Sequence, residues 1–243
     1  MCARKRSLVT LAKELSAQVG EMCFAGEVAG VYNPLDYAWR AHRKFLDTYG
    51  RGQKRVVFMG MNPGPWGMAQ TGVPFGEVAM VRDWMGIEAK VEQPKEEHPK
   101  RPIQGFACER SEVSGRRLWG LMAERFGTAD VFFTEHFITN FCPLVFMADT
   151  GRNITPDKLP VHEREPLEVA CVAHLRGVLH TLQPEVVVGV GAYAETRLRQ
   201  VVGDDGPPVM RMLHPSPASP AANRDWAGTA TKQLVAAGVW GAA

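Results

Sequence analysis

Four short apolar runs separated by helix-forming stretches constrain this chain more than any other feature. They are Arg55–Gly60, Val131–Thr134 with an irregular continuation to Asn140, Glu185–Val190 and Val209–Leu213. Brief valine-rich runs bounded by turn residues read as strands buried on both faces. The stretches around and between them predict helices over Leu8–Val19, Pro34–Tyr49, Glu77–Met85, Glu112–Phe126, Glu163–Leu182, Tyr193–Val201 and Pro220–Ala237. The second is bracketed by Asn33 as cap, Pro34 at the first helical position and Gly50 as stop. Such alternation defines an α/β fold with a central four-stranded, mostly parallel sheet flanked by helices. The 243 residues, 1–243, read as a single domain. Glu92–Arg101, rich in Pro, Glu and Lys, reads as an exposed loop rather than a linker.

Charge narrows the partners. Lys and Arg number 28 against 26 Asp and Glu, a net charge of +2. A chain so balanced does not coat nucleic acid or membrane by bulk charge, so an acidic partner must be met by a local patch. No apolar run reaches the roughly 18 residues of a membrane span, and Arg4-Lys5-Arg6 is not followed by the apolar stretch of a signal peptide. Five scattered cysteines (Cys2, Cys23, Cys108, Cys142, Cys171) fit reduced thiols. There is no C-x-x-C, and the zinc-deaminase signature is missing, so no metal is expected. His174 and His180 have the look of metal ligands but read as core or surface histidines.

In an open α/β sheet, ligands sit beyond the carboxyl ends of the strands. Each of the four strands delivers an unusual loop there: Asn62-Pro63-Gly64-Pro65, Asn140-Phe141-Cys142-Pro143, Gly191-Ala192-Tyr193-Ala194 and His214-Pro215-Ser216-Pro217. Each alone is also an ordinary turn; their convergence on one rim marks a site. Asn62 offers a carbonyl and an amide but no proton base, so it can hold a water. Phe75 is either core or a stacking face for a flat ligand. Asn140 is either a loop residue bonded to backbone or a reader of a base edge through its paired donor and acceptor. His214 is either structural or a donor to an oxygen where negative charge develops. The rigid Pro215–Pro220 segment connects strand to helix and has the character of a wedge. Gly189–Ala194 matches G-x-G-x-x-A, a dinucleotide pattern, but Asp204-Asp205 stands in a loop rather than at a strand end. Its helix start can equally hold a phosphate.

The run Gly60-Met61-Asn62-Pro63-Gly64-Pro65-Trp66-Gly67-Met68-Ala69-Gln70-Thr71-Gly72-Val73-Pro74-Phe75-Gly76 closely resembles the first motif of the single-strand-selective monofunctional uracil-DNA glycosylases. Leu213-His214-Pro215-Ser216-Pro217 resembles the second, shared across the uracil-DNA glycosylase superfamily. Glu97–Pro102, Ser111–Gly115 and Gly151–Pro156 add to the likeness, which covers roughly residues 30–240.

The resemblance implies a monofunctional enzyme that flips uracil, or an oxidised pyrimidine such as 5-hydroxymethyluracil, from DNA. It would hydrolyse the N-glycosidic bond and leave an abasic site, without a cofactor and without lyase activity. By position, Asn62 orients the water and His214 stabilises charge on the uracil O2. Phe75 stacks on the base, Asn140 reads its edge, the Met61 backbone lies in the pocket and Gly64 leaves room near C5. Gly151, Arg152, Asn153 and Arg164, the Gly191-Ala192 turn, and Pro215, Ser216, Pro217, Ala218 and Ser219 would touch single- or double-stranded DNA. Lys100, Arg101, Arg152, Arg164 and Arg211 are the candidate phosphate patch. A monomer is expected, in the cytoplasm of a bacterium or the nucleus of a eukaryote. Two positions depart from the vertebrate members: Ala218 where they carry arginine, and Trp66 where they carry Phe. A damage-binding module that keeps the pocket without the chemistry is the rival reading; the presence of both Asn62 and His214 argues for activity.

Overall fold

The computed structural model describes residues 6–241; Cys2, Arg4 and Lys5 lie outside them. In chain order the elements are α1 (Leu8–Gly20), β1 (Gly30–Tyr32), α2 (Pro34–Tyr37), α3 (Trp39–Tyr49), β2 (Val56–Gly60), α4 (Met68–Thr71), α5 (Val113–Phe126) and α6 (Ala129–Glu135). Then follow β3 (His136–Asn140), β4 (Val145–Met147), β5 (Asn153–Ile154), α7 (Val161–Leu182), β6 (Val186–Val190), α8 (Ala192–Val202), β7 (Val209–Met212) and α9 (Pro220–Ala236).

The central sheet has the order β3-β2-β6-β7 and is parallel throughout. Every residue of β2 and β3 is buried, as an apolar run covered by helices on both faces requires. In register, Gly60 stands opposite Asn140, so both strands end at the same height. The pairing continues beyond them, with the Phe141 and Cys142 amides donating to the Gly60 and Met61 carbonyls, each at 2.9 Å. Two of the site loops therefore leave the sheet locked together.

The structure corrects the sequence reading in four places. Val131–Thr134 is not a strand but the centre of α6. Its buried residues Ala129, Phe132 and Phe133 follow the i, i+3, i+4 spacing of one helix face, and Thr128 caps it by accepting the Val131 amide. The strand begins only at His136, so the segment read as an irregular continuation is β3 itself. The helix predicted over Pro34–Tyr49 is two helices that break at Ala38 (φ −99°, ψ 20°). At the break, Tyr37 donates to the Ala69 carbonyl at 2.7 Å, tying α2 to the first site loop. The helix predicted over Glu77–Met85 is largely a wide π-turn at Met80–Trp84, entered where the Met80 amide donates to the Glu77 carboxylate. Finally, β1, β4 and β5 form a small antiparallel sheet that the sequence reading did not contain.

Candidate active site

The carboxyl ends of β2, β3, β6 and β7 bring Asn62, Phe75, Asn140, Gly191 and His214 onto one rim. Gly60 shows how closely they meet: a Cβ there would stand 2.5 Å from Asn140 Oδ1 and 2.7 Å from the Phe75 ring. Only glycine at the end of β2 lets the amide and the aromatic face approach each other. The Phe75 and His214 rings lie 6.1 Å apart, tilted by 45°. A Cβ on Gly191 (φ 91°) would come 3.2 Å from His214 Cβ, which places the β6–α8 turn beside the imidazole.

Phe75 is held at φ 52°, a left-handed conformation that a bulky residue rarely adopts. Its carbonyl accepts from the Trp119 indole N–H at 3.0 Å and from the Glu77 amide at 2.8 Å, and these two bonds fix the strained turn. Strain of this kind, worth about 1–3 kcal/mol, collects where a ligand must be gripped in one geometry.

The hydrogen bonds of the two polar groups determine which atoms face a ligand. The Asn62 amide nitrogen lies 3.2 Å from the Leu144 carbonyl, which can only accept, so Nδ2 must point there. Asn62 Oδ1 has no partner among the described residues and remains an acceptor. In the same way, His214 Nδ1 accepts from the Ser216 amide at 3.1 Å. In a neutral ring the proton is then on Nε2, which becomes a donor. Burial lowers the His214 pKa to about 4, so the ring is neutral at physiological pH. The site thus offers one acceptor suited to a water and one neutral donor suited to an oxygen gaining negative charge.

Glu112, within the Ser111–Gly115 motif, is a site residue that sequence reasoning does not single out. The Glu112 carboxyl lies beneath the first loop, where a Cβ on Gly64 or Gly67 would collide with it. Its Oε2 is buried without a hydrogen-bond partner. Burial, reinforced by the Glu77 charge, raises its pKa to about 7. No local sequence pattern points to it, because the glycines that pack on it, Gly64 and Gly67, belong to a remote segment.

The remaining predicted residues divide by what already engages them. The Pro215–Ser219 loop is braced from inside: Arg117 donates to the Pro215 carbonyl at 3.1 Å and Asn223 to the Pro217 carbonyl at 2.7 Å. Its tip, Pro217 and Ala218, is exposed. Gly151 (φ 77°) packs on Lys100 and Arg101, and Asn153 lies in β5. Three of the candidate phosphate ligands are turned to carboxylates: Arg152 to Glu27 at 3.1 Å, Arg211 to Glu195 at 3.3 Å, and Arg164 to Glu168, which Arg197 also binds. Among the described residues, Lys100 and Arg101 have no carboxylate partner.

The G-x-G-x-x-A turn does not continue as a dinucleotide site, because the next strand, β7, leads into His214 rather than an acidic residue. The four described cysteines are free thiols. Among the described residues, no cluster of three metal-ligating side chains occurs and no helix is long and apolar enough to cross a membrane.

Comparisons with known proteins agree with this geometry. Residues 47–235 match the model of the uracil DNA glycosylase superfamily. The single-strand selective monofunctional uracil-DNA glycosylase of Rattus norvegicus is 48% identical over 237 residues, covering 96% of this chain and 85% of the relative. The corresponding protein of Bos taurus is 48% identical over 222 residues, covering 90% and 82%. The crystal structure of Pedobacter heparinus SMUG2 superposes with a TM-score of 0.64 at 18% identity, covering 94% of this chain and 97% of that one, a likeness of fold. With its motifs assembled on one rim of a parallel sheet and nearly half its residues shared with these relatives, the chain belongs to the single-strand-selective monofunctional uracil-DNA glycosylase family of that superfamily.

Proposed function

We propose that this protein hydrolyses the N-glycosidic bond of uracil flipped out of DNA, releasing the base and leaving an abasic site. The observation that carries the reading is the pairing of a free Asn62 Oδ1 with a neutral His214 Nε2–H donor on a rim that also holds Phe75 and Asn140.

Cleavage separates an oxocarbenium-like sugar from a pyrimidine anion. Asn62 Oδ1 accepts a hydrogen bond from the water whose oxygen bonds to C1′ as the C1′–N1 bond breaks. Asn62 takes no proton; the water's proton ends on the departing uracil. His214 donates to O2 of the base as charge accumulates there, and a neutral donor serves because it is already aimed and partly desolvated. Phe75 stacks on the base, Asn140 pairs with its edge, and the Met61 backbone and Gly64 complete the wall. Glu112 fills the space that a Cβ on Gly64 would take, so the inclusion of oxidised pyrimidines such as 5-hydroxymethyluracil in the substrate range rests on the family resemblance of this loop. The exposed Pro217-Ala218 tip is the element that enters the strand, with Gly151, Asn153 and the Gly191-Ala192 turn as further contacts. Both single- and double-stranded DNA are substrates in this reading, and the protein acts as a monomer. The large apolar side chains that stand exposed among the described residues are three valines, Val131, Val161 and Val169.

Incubation with end-labelled oligonucleotides containing uracil or 5-hydroxymethyluracil, followed by hot alkali, tests the proposal. Strand scission that requires alkali is the expected result. An intact uracil strand after alkali would contradict it.

A further inference from the structure

Trp66 leaves the first site loop four residues after Asn62, and its side chain is partly exposed. Two guanidiniums rest on its ring, Arg110 at 4.5 Å and Arg101 at 5.2 Å from the centroid. These arginines come from different segments, and nothing in the local sequence joins them to Trp66. Among the described residues, neither makes a salt bridge, unlike Arg152, Arg164 and Arg211. Arg110 makes no side-chain hydrogen bond either, and Arg101 spends one N–H on the Lys100 carbonyl at 2.8 Å while its Nε is buried without a partner. On its far side Arg101 touches Gly151, where a Cβ would stand 3.2 Å from the guanidinium carbon.

We propose that Arg110, Trp66 and Arg101 form a phosphodiester clamp for the DNA strand beside the base pocket. Trp66 serves as a platform that fixes both guanidiniums by their faces. A guanidinium stacked on an aromatic ring keeps its N–H edge free, and that edge matches the geometry of phosphate oxygens. Fixing two long side chains before binding reduces the ordering cost that free arginines would pay. The clamp also resolves the charge problem of a chain with a net charge of only +2. Two cations without a salt bridge among the described residues, next to the site, supply local attraction. A polymer strand, rather than a single phosphate, is the ligand, because the clamp is continuous with the Asn62 loop on one side and with Gly151 on the other. The inference rests on the reading that this chain acts on DNA.

The test measures binding of a fluorescent single-stranded oligonucleotide that contains no uracil, as a function of salt. For single strands, each phosphate neutralised contributes about 0.7 to the slope of log K against log salt. The exposed Arg110→Ala variant is expected to lower that slope by about 0.7, and Arg101→Ala/Arg110→Ala by about 1.4. Trp66→Leu, which removes no charge, is expected to weaken binding several-fold, with Trp66→Phe restoring most of it. Thymidine monophosphate is expected to compete poorly with the strand. An unchanged slope in folded Arg110→Ala, or equally tight binding of the mononucleotide, would overturn the clamp. Uracil excision with an unchanged slope would sink the clamp alone. An arginine-dependent slope without excision would sink the glycosylase reading and leave the clamp standing.

Discussion

The pocket side and the outer side of the Gly60–Gly72 loop handle charge in opposite ways. Toward the pocket stand the Asn62 and Asn140 amides and an imidazole that burial keeps neutral, while beneath the loop lies a carboxyl whose pKa burial raises to about 7. On the outside, Trp66 carries two guanidiniums that no carboxylate among the described residues neutralises. Chemistry on a leaving anion needs fixed dipoles in a desolvated place, where a permanent charge would be costly to bury. Holding a DNA strand needs permanent charges in water, where burial is not required. One loop meets both demands because its glycines let it fold tightly over Glu112 while Trp66 projects outward.

That contrast can be broken from the pocket side first. His214→Ala removes the donor and is expected to slow single-turnover uracil excision by about 10²–10³-fold; a rate equal to wild type would remove His214 from the chemistry. Glu112→Gln comes next. Because its pKa is raised in the folded protein, wild-type Glu112 holds a proton that the unfolded chain releases, so its stability is full below about pH 4.5 and falls as pH rises through 7. Buried histidines such as His214 gain stability over the same range, so the reading is the difference between proteins: from about pH 5 to about pH 8, wild type should lose about 2.5 kcal/mol relative to the glutamine variant in denaturant titrations. The same pH dependence in both would mean that the carboxyl is not buried in the way described.

Smaller effects sharpen the division of labour. Phe75→Ala is expected to cost about 1–3 kcal/mol of base binding, the worth of one stacked base, seen as a raised KM on uracil DNA. Its affinity for undamaged DNA should hold, since Phe75 is on the pocket side. Asn140→Ala should lower discrimination between uracil and thymine more than it lowers strand affinity; equal loss of both would place Asn140 outside base reading.

Much of this was legible in the sequence, for physical reasons. Strands β2 and β6 are unbroken apolar runs rich in valine, and β7 is a shorter run interrupted only by Arg211; the loops at the sheet's carboxyl end carry glycine, proline and polar residues where sheets of this kind bind ligands, so Asn62, Phe75, Asn140 and His214 stand out together. Val131–Thr134 misled because four apolar-leaning residues are too few to distinguish periods of 2 and 3.6; Ala129 and the Thr128 cap decide it as a helix. The small sheet was hidden because its strands have only three, three and two residues. Glu112 and the arginine pair on Trp66 depend on contacts between remote segments, which no local pattern records. The Leu144 carbonyl and Ser216 amide that orient Asn62 and His214 are backbone groups, and a sequence does not display those.

The state of the His214 ring carries the whole account of the pocket, and nitrogen-15 NMR of the imidazole reads it directly. The expected result is a neutral ring with its proton on Nε2 from physiological pH down to about 4. An imidazolium at about pH 6, close to the ordinary histidine value, or a neutral ring protonated on Nδ1, would contradict it.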